Sequence, residues 1–168
     1  MLPTVVQDAI NQQINMELSS SYTYLAMSAY CELNNFIGSS KWMKLQSQEE
    51  HAHAMKLYDF MIARGCEVTF TDLPAPPNRF ESIPHVFQKA LDQEKAVSQS
   101  INALYELAHE NKAFAALVEL QWFITEQVEE EKTVREIVAK FNMLQDDASA
   151  MLDLDRELGE RKPEEDGE

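Results

Sequence analysis

Glu67-Val-Thr-Phe-Thr-Asp-Leu-Pro-Ala-Pro-Pro-Asn78 separates two long stretches of helical periodicity and holds three prolines. Proline fixes its own φ and carries no N–H, so this stretch excludes a helix interior and favours an extended path. An irregular connection of such length inside a compact domain needs a structural reason. Flanking helices of roughly 28 residues are ~40 Å long, and a connection of about 16 residues reaches ~50 Å at ~3.3 Å each. The connection can therefore run the whole length of a helix bundle, which lets the second and third helices point the same way. Short loops would suffice for a simple up-down-up-down bundle. The expected fold is all-α: a four-helix bundle with one long crossover between its second and third helices, and a short fifth helix.

The remaining punctuation agrees with this plan. A first pattern opens after Pro3, carries Val6, Ile10, Ile14, Glu17 and Tyr24 on one face, and stops near Asn34-Asn35. A second runs from about Ser40 to Gly65, which suits a helix C-cap. The third begins around Ser82 with Pro84 in its first turn, and Asn111-Lys112 separates it from the fourth. A fifth spans about Asp147 to Leu158. Residues 1–160 are expected to form one domain, and 161–168 a disordered acidic tail.

Twenty-nine acidic against 14 basic residues give a formal charge of -15, which disfavours nucleic acid and anionic membranes and favours cations. Cys31 and Cys66 do not make a disulfide framework, no apolar run can span a bilayer, and the N-terminus lacks a signal-peptide pattern. A reducing, cytoplasmic setting is expected.

Glu50-x-x-His53 places a carboxylate and an imidazole on one helix face, a spacing suited to a metal ion. Glu17, Glu94, Gln127 and Glu130 fall, like Glu50, near the middles of their helical patterns, and midpoints of packed helices share one level whatever their direction. Glu94 interrupts the apolar series Ala90, Leu91, Val97, Ile101, and Glu130 lies between Phe123 and Val134. A glutamate on a core face is rarely left unpaired. Any one of these glutamates, taken alone, reads better as a solvated side chain, and His53 alone as an ordinary histidine; the coincidence of four mid-helix positions reverses that. Glu17, Glu50, Glu94 and Glu130 would balance two divalent ions, and oxygen-rich ligands with one imidazole suit iron, though zinc fits the same set. Glu106-x-x-His109 repeats the spacing but lies ~18 Å along the helix from Glu94 and ~120° around it, and reads as a surface coincidence. Tyr24 lies two turns beyond Glu17, where core packing and a redox or supporting role are both open. Glu49, Glu126 and Glu129 flank the set as either a neighbouring cation site or a solvated acidic face.

The segments Asn15-Met-Glu-Leu-Ser-Ser20, Gln48-Glu-Glu-His-Ala-His53, Glu94, and Leu120-Gln-Trp-Phe-Ile-Thr-Glu-Gln-Val-Glu-Glu-Glu-Lys132 together resemble the non-haem bacterial ferritins, over nearly the whole chain. The resemblance implies a ferritin-like bundle and a ferroxidase. One Fe2+ would bind Glu17, Glu50 and His53, and a second Glu50, Glu94 and Glu130, with Glu50 bridging. Gln127 would lie near the dioxygen position, and Tyr24 beside the di-iron centre. Glu49, Glu126, Glu129 and Glu130 match a third iron site. It further implies homo-oligomeric shells of 24 subunits that oxidise Fe2+ with O2 or H2O2 and store a ferric mineral. Bacterioferritins carry a second Glu-x-x-His on the fourth helix, where this chain has Gln127 and Glu130, and their haem-binding methionine falls on His51, so no haem is expected. The acidic pair of animal-type three-fold channels falls on Leu117 and Leu120. A di-iron oxidase or peroxidase without storage, and a non-enzymatic metal-binding bundle, are the alternative functions.

Overall fold

The computed structural model describes residues 1–164. Five helices follow one another: α1 (Thr4–Leu33), α2 (Ile37–Ala63), α3 (Ile83–Glu110), α4 (Phe114–Leu144) and α5 (Ala148–Gly159). Their directions can be read from side-chain pairs. Between α1 and α2, Ser21 meets Ser47 and Ser28 meets Ser40, numbers running oppositely, so the two are antiparallel. Between α1 and α3, Gln13 meets Ser100 and Tyr24 meets Glu94, again antiparallel. It follows that α2 and α3 are parallel and that residues 64–82 cross the length of the bundle, as the proline-rich stretch requires.

Two side chains of α1 fix the crossover. Asn11 donates to the Glu67 carbonyl (3.0 Å) and accepts from Thr69 N–H (3.0 Å). One turn later Asn15 donates to the Thr69 carbonyl (2.8 Å) and accepts from Thr71 N–H (2.9 Å). Contacts at 67, 69 and 71 match the two-residue period of an extended chain.

Local chemistry sets most helix ends. Ser82 Oγ accepts from His85 N–H (3.2 Å) at the start of α3, with Pro84 just inside, and Asp147 caps α5 through Ala150 N–H (3.0 Å). Gly65, at φ +67°, ends α2 with Cys66 N–H bonded back to the Met61 carbonyl (2.9 Å). The start of α2 differs from the expected Ser40 and lies at Ile37. Its cap comes from afar: the carboxylate of Asp155 in α5 accepts from the N–H groups of Gly38 (3.0 Å) and Ser39 (2.7 Å), and from Ser39 Oγ (2.7 Å). The approach is so close that a Cβ on Gly38 would lie 1.7 Å from the Asp155 carbonyl oxygen. A negative charge there also complements the helix N-terminus.

The interior consists of two apolar clusters. One gathers Val6, Ile10, Ile14, Leu57, Ile101 and Phe123; the other Met27, Trp42, Met43, Phe87, Leu91 and Phe141. Between them, at mid-height on each long helix, the buried residues turn polar: Gln13 and Glu17, then Gln46, Ser47, Glu50 and His53, then Glu94, then Gln127 and Glu130. This layer is the only polar level of the core that all four long helices reach among the described residues.

Candidate metal centre

Glu17 (α1), Glu50 and His53 (α2), Glu94 (α3), and Gln127 and Glu130 (α4) are all buried in this layer. Ligand atoms of Glu17, Glu50 and His53 lie within 4.8 Å of one another, and so do those of Glu50, Glu94 and Glu130. Glu50 is common to both groups. His53 Nδ1 stands 3.8 Å from Glu50 Oε2, and its ring meets the edges of Trp122 and Phe123, which restrict its orientation.

Buried carboxylates need donors or cations. Among the described residues, Glu17 Oε2, Glu50 Oε2 and Glu130 Oε1 are buried without any hydrogen-bond donor. The other oxygens are held by neutral groups. Gln13 Nε2 donates to Glu17 (2.7 Å), Gln46 Nε2 to Glu130 (2.7 Å) and Glu50 (3.3 Å), Gln127 Nε2 to Glu94 (3.2 Å), and Tyr24 Oη to the other Glu94 oxygen. Neutral donors outside and bare oxygens inside form a shell that accepts divalent cations. Hard oxygen ligands with one imidazole fit iron.

Electrostatics point the same way. Burial pushes the Glu50 and Glu130 carboxyls well above their usual range, and the charges of neighbouring glutamates push them further. Burial also raises Glu17, and raises Glu94 to about 7 against the downward pull of Tyr24 and Gln127. Desolvation, aided by nearby Lys56, lowers His53 to about 4, leaving a neutral imidazole with a free lone pair at neutral pH. A dication reverses this logic, displacing protons and charging the carboxylates.

The outer acidic residues expected at a third site, Glu49, Glu126, Glu129 and Glu130, line one cavity. Glu126 joins His53 and Glu130 in a third group within 4.8 Å, whereas Glu129 is exposed and joins no such group. Glu49 lines a cavity of about 230 Å³ with Glu126, Glu129 and Glu130, and there it is bonded by Arg161 (2.6 Å). Arg161, in the stretch that the sequence predicts to be a disordered tail, folds back onto α2, while 165–168 lie outside the described residues. Glu106 and His109 are exposed. Sequence reasoning missed Gln13 and Gln46. Gln13 had a usable signal, a glutamine beside Ile14 in an apolar face and one turn before Glu17. Gln46, amid Ser47 and Gln48, had none.

Replacing Tyr24 by Phe leaves a buried Glu94 oxygen without its donor. The chelated protein is expected to lose about 1–3 kcal/mol in denaturant unfolding at neutral pH. The deficit should shrink as pH falls below about 7, where Glu94 gains its own proton; a pH-independent deficit would mean that Tyr24 serves packing alone.

The ferritin-like domain family matches residues 7–144. The bacterial non-haem ferritin of Staphylococcus saprophyticus is 35% identical over 165 residues, covering 98% of this chain and 99% of the relative. That of Staphylococcus aureus is 34% identical over 161 residues, 96% of this chain and 97% of the relative. Among solved structures, an open-pore ferritin from the hyperthermophilic archaeon Archaeoglobus fulgidus superimposes with a TM-score of 0.95 at 38% identity, covering 96% of this chain and all 100% of that one. An engineered closed form of the same archaeal ferritin gives a TM-score of 0.95 at 39% identity, covering 96% and 99%.

Proposed function

The chain belongs to the ferritin family, alongside the bacterial non-haem ferritins, and from that premise we propose that it oxidises Fe2+ and stores the ferric product in a shell of its own copies. The observation that carries this reading is the pair of ligand groups joined by Glu50, with three inward oxygens lacking donors. Residues 1–160 act as one domain, the setting is the cytoplasm, and the assembly is a 24-subunit homo-oligomer. No described helix is long and apolar enough to cross a membrane.

In this mechanism Fe2+ is the substrate. Glu17, Glu50 and His53 hold one ion, Glu50, Glu94 and Glu130 the other, and Gln127 with Tyr24 keeps Glu94 turned inward. Two Fe2+ give one electron each to O2, which with two protons leaves as H2O2; with H2O2 as oxidant, the same two electrons and two protons yield two H2O. Carboxyls that are protonated in the metal-free centre release protons as ions enter. The full charge of four carboxylates then stabilises Fe3+ over Fe2+, which favours the electron transfer.

Aerobic mixing of chelated protein with excess Fe2+ tests the reading. Storage predicts fast oxidation and soluble particles loaded far beyond the site count. Turnover without loading would indicate an oxidase or peroxidase instead, and neither would indicate a passive binder. Glu129→Ala is expected to leave the first two-iron phase within about twofold of wild type, because Glu129 touches neither ligand group. A stopped-flow record with a lost fast phase would place Glu129 in the centre after all. Later turnover is the phase expected to change, since Glu129 lines the outer acidic cavity.

A further inference from the structure

Next to the proposed two-ion centre lies an acidic cavity lined by Glu49, Glu126, Glu129 and Glu130. Glu49 Oε1 is buried without a donor among the described residues, so the site asks for positive charge. The chain supplies one itself. Just after α5, Arg161 donates to Glu49 Oε2 (2.6 Å) and to Gln46 Oε1 (2.9 Å). Its guanidinium also lies 4.5 Å over the ring of Trp42, a buried residue of α2. A charge-assisted bond, a second hydrogen bond and a cation–π contact on one planar group make a defined seat, not a loose surface pairing.

Gln46 makes this seat relevant to the centre. Its amide nitrogen faces Glu130 and Glu50, and its amide oxygen faces Arg161. Arg161, just after α5, and the carboxylates of Glu130 and Glu50 thus hold opposite ends of the same amide.

We propose that Arg161 is a positioning residue and built-in counter-cation, which occupies the outer acidic cavity of its own subunit and competes with a third divalent ion for it. Arg161 holds Glu49 Oε2, and a dication on the neighbouring Oε1 would lie within a few ångströms of the guanidinium, where like charges repel. The outer cavity thus takes an ion only when Arg161 withdraws, and its apparent affinity is lowered by the fraction of time it stays seated. Occupation of the cavity and release of the segment after α5 are one equilibrium. This inference rests on the two-ion reading of the cage beside it.

The test is calorimetric titration of the full-length, chelated assembly with Zn2+, which fits the same ligands without redox chemistry. Wild type is expected to bind two ions tightly and a third weakly per subunit. Arg161→Gln, which keeps a hydrogen-bonding amide but removes the charge, should strengthen the third ion at least ~tenfold, and Arg161→Lys should return most of the difference. A packing role alone would not raise an affinity. An unchanged or weaker third ion in Arg161→Gln overturns the proposal, whereas failure of wild type to bind two ions tightly overturns the two-ion centre itself. Crystals of wild type soaked in Zn2+ give an independent check free of any variant. An ion at Glu49 with Arg161 displaced supports competition, and an ion there with the Arg161–Glu49 bond intact refutes it.

Discussion

Glu50→Ala is expected to slow the first phase of Fe2+ oxidation at least ~100-fold, beyond the 10–100-fold cost usual for residues that merely support metal ligands. Glu50 is the one residue in both ligand groups. Its loss leaves Glu17 with His53 on one side and Glu94 with Glu130 on the other, two incomplete sites with no shared carboxylate to hold the ions together. Failure to fold is not the expected cause, because the removed group is itself a buried carboxylate crowded by Glu94, Glu17 and Glu130. Stopped-flow oxidation at two Fe2+ per subunit, with helicity checked by circular dichroism, is the measurement. A rate near that of wild type would rule out the bridge.

Glu94→Gln should have opposite effects with and without metal. The folded protein raises Glu94 from the model-peptide value of 4.5 to about 7, first through burial. For a group raised in this way the stability it contributes is fully present below about 4.5, and is lost as pH rises through about 7. By neutral pH the accumulated strain is on the order of 3 kcal/mol. Glutamine has the shape without the charge and still accepts from Tyr24. Its amide nitrogen, however, would face that of Gln127, which costs about 1 kcal/mol unless Gln127 turns. The chelated variant is therefore expected to be more stable than wild type by about 1–2 kcal/mol at pH 7, a rise of a few degrees in melting midpoint, and the advantage should vanish toward pH 4. With saturating Zn2+ the order should reverse, since ions bound only by the folded state stabilise it in proportion to ln(1 + [L]/Kd). A chelated variant that melts below wild type at pH 7 would remove Glu94 from the repelling cluster.

Much of the bundle was legible in the sequence because helical period and turn chemistry are local. The expected ends of α3 and α5 fall at Ser82 and Asp147, whose own side chains cap them. The level of the site was legible for a related reason: Glu94 amid Leu91 and Val97 is a local contradiction that only a partner can resolve. What escaped was held by distant groups. The start of α2 depends on Asp155, more than a hundred residues later, and no pattern around Gly38 reveals it. The path of the crossover depends on Asn11 and Asn15, ordinary polar residues of the helix surface until the extended segment lies beside them. Arg161 looked like part of a charged tail, since neither Trp42 nor Glu49 is near it in sequence. The buried face of α2 also mixes Ser39, Ser40, Gln46, Ser47, Glu50 and His53 with apolar residues, which blurs the period by which its boundaries were read.

The crossover divides the ligands as well as the helices. Glu17, Glu50 and His53 lie on the hairpin made before it, and Glu94, Gln127 and Glu130 on the hairpin made after it. During synthesis the leading half thus carries three ligands for one ion while the trailing half is still unmade. A lone α1–α2 hairpin lacks the two carboxylates that complete the second group, so the shared Glu50 acquires its bridging role only when the halves close on each other. On the proposed two-ion reading, an ion between Glu50, Glu94 and Glu130 would act as a rivet across that seam. Parting the two hairpins and losing the bridged metal would then be a single event, and metal content would set how readily the folded chain opens along its length.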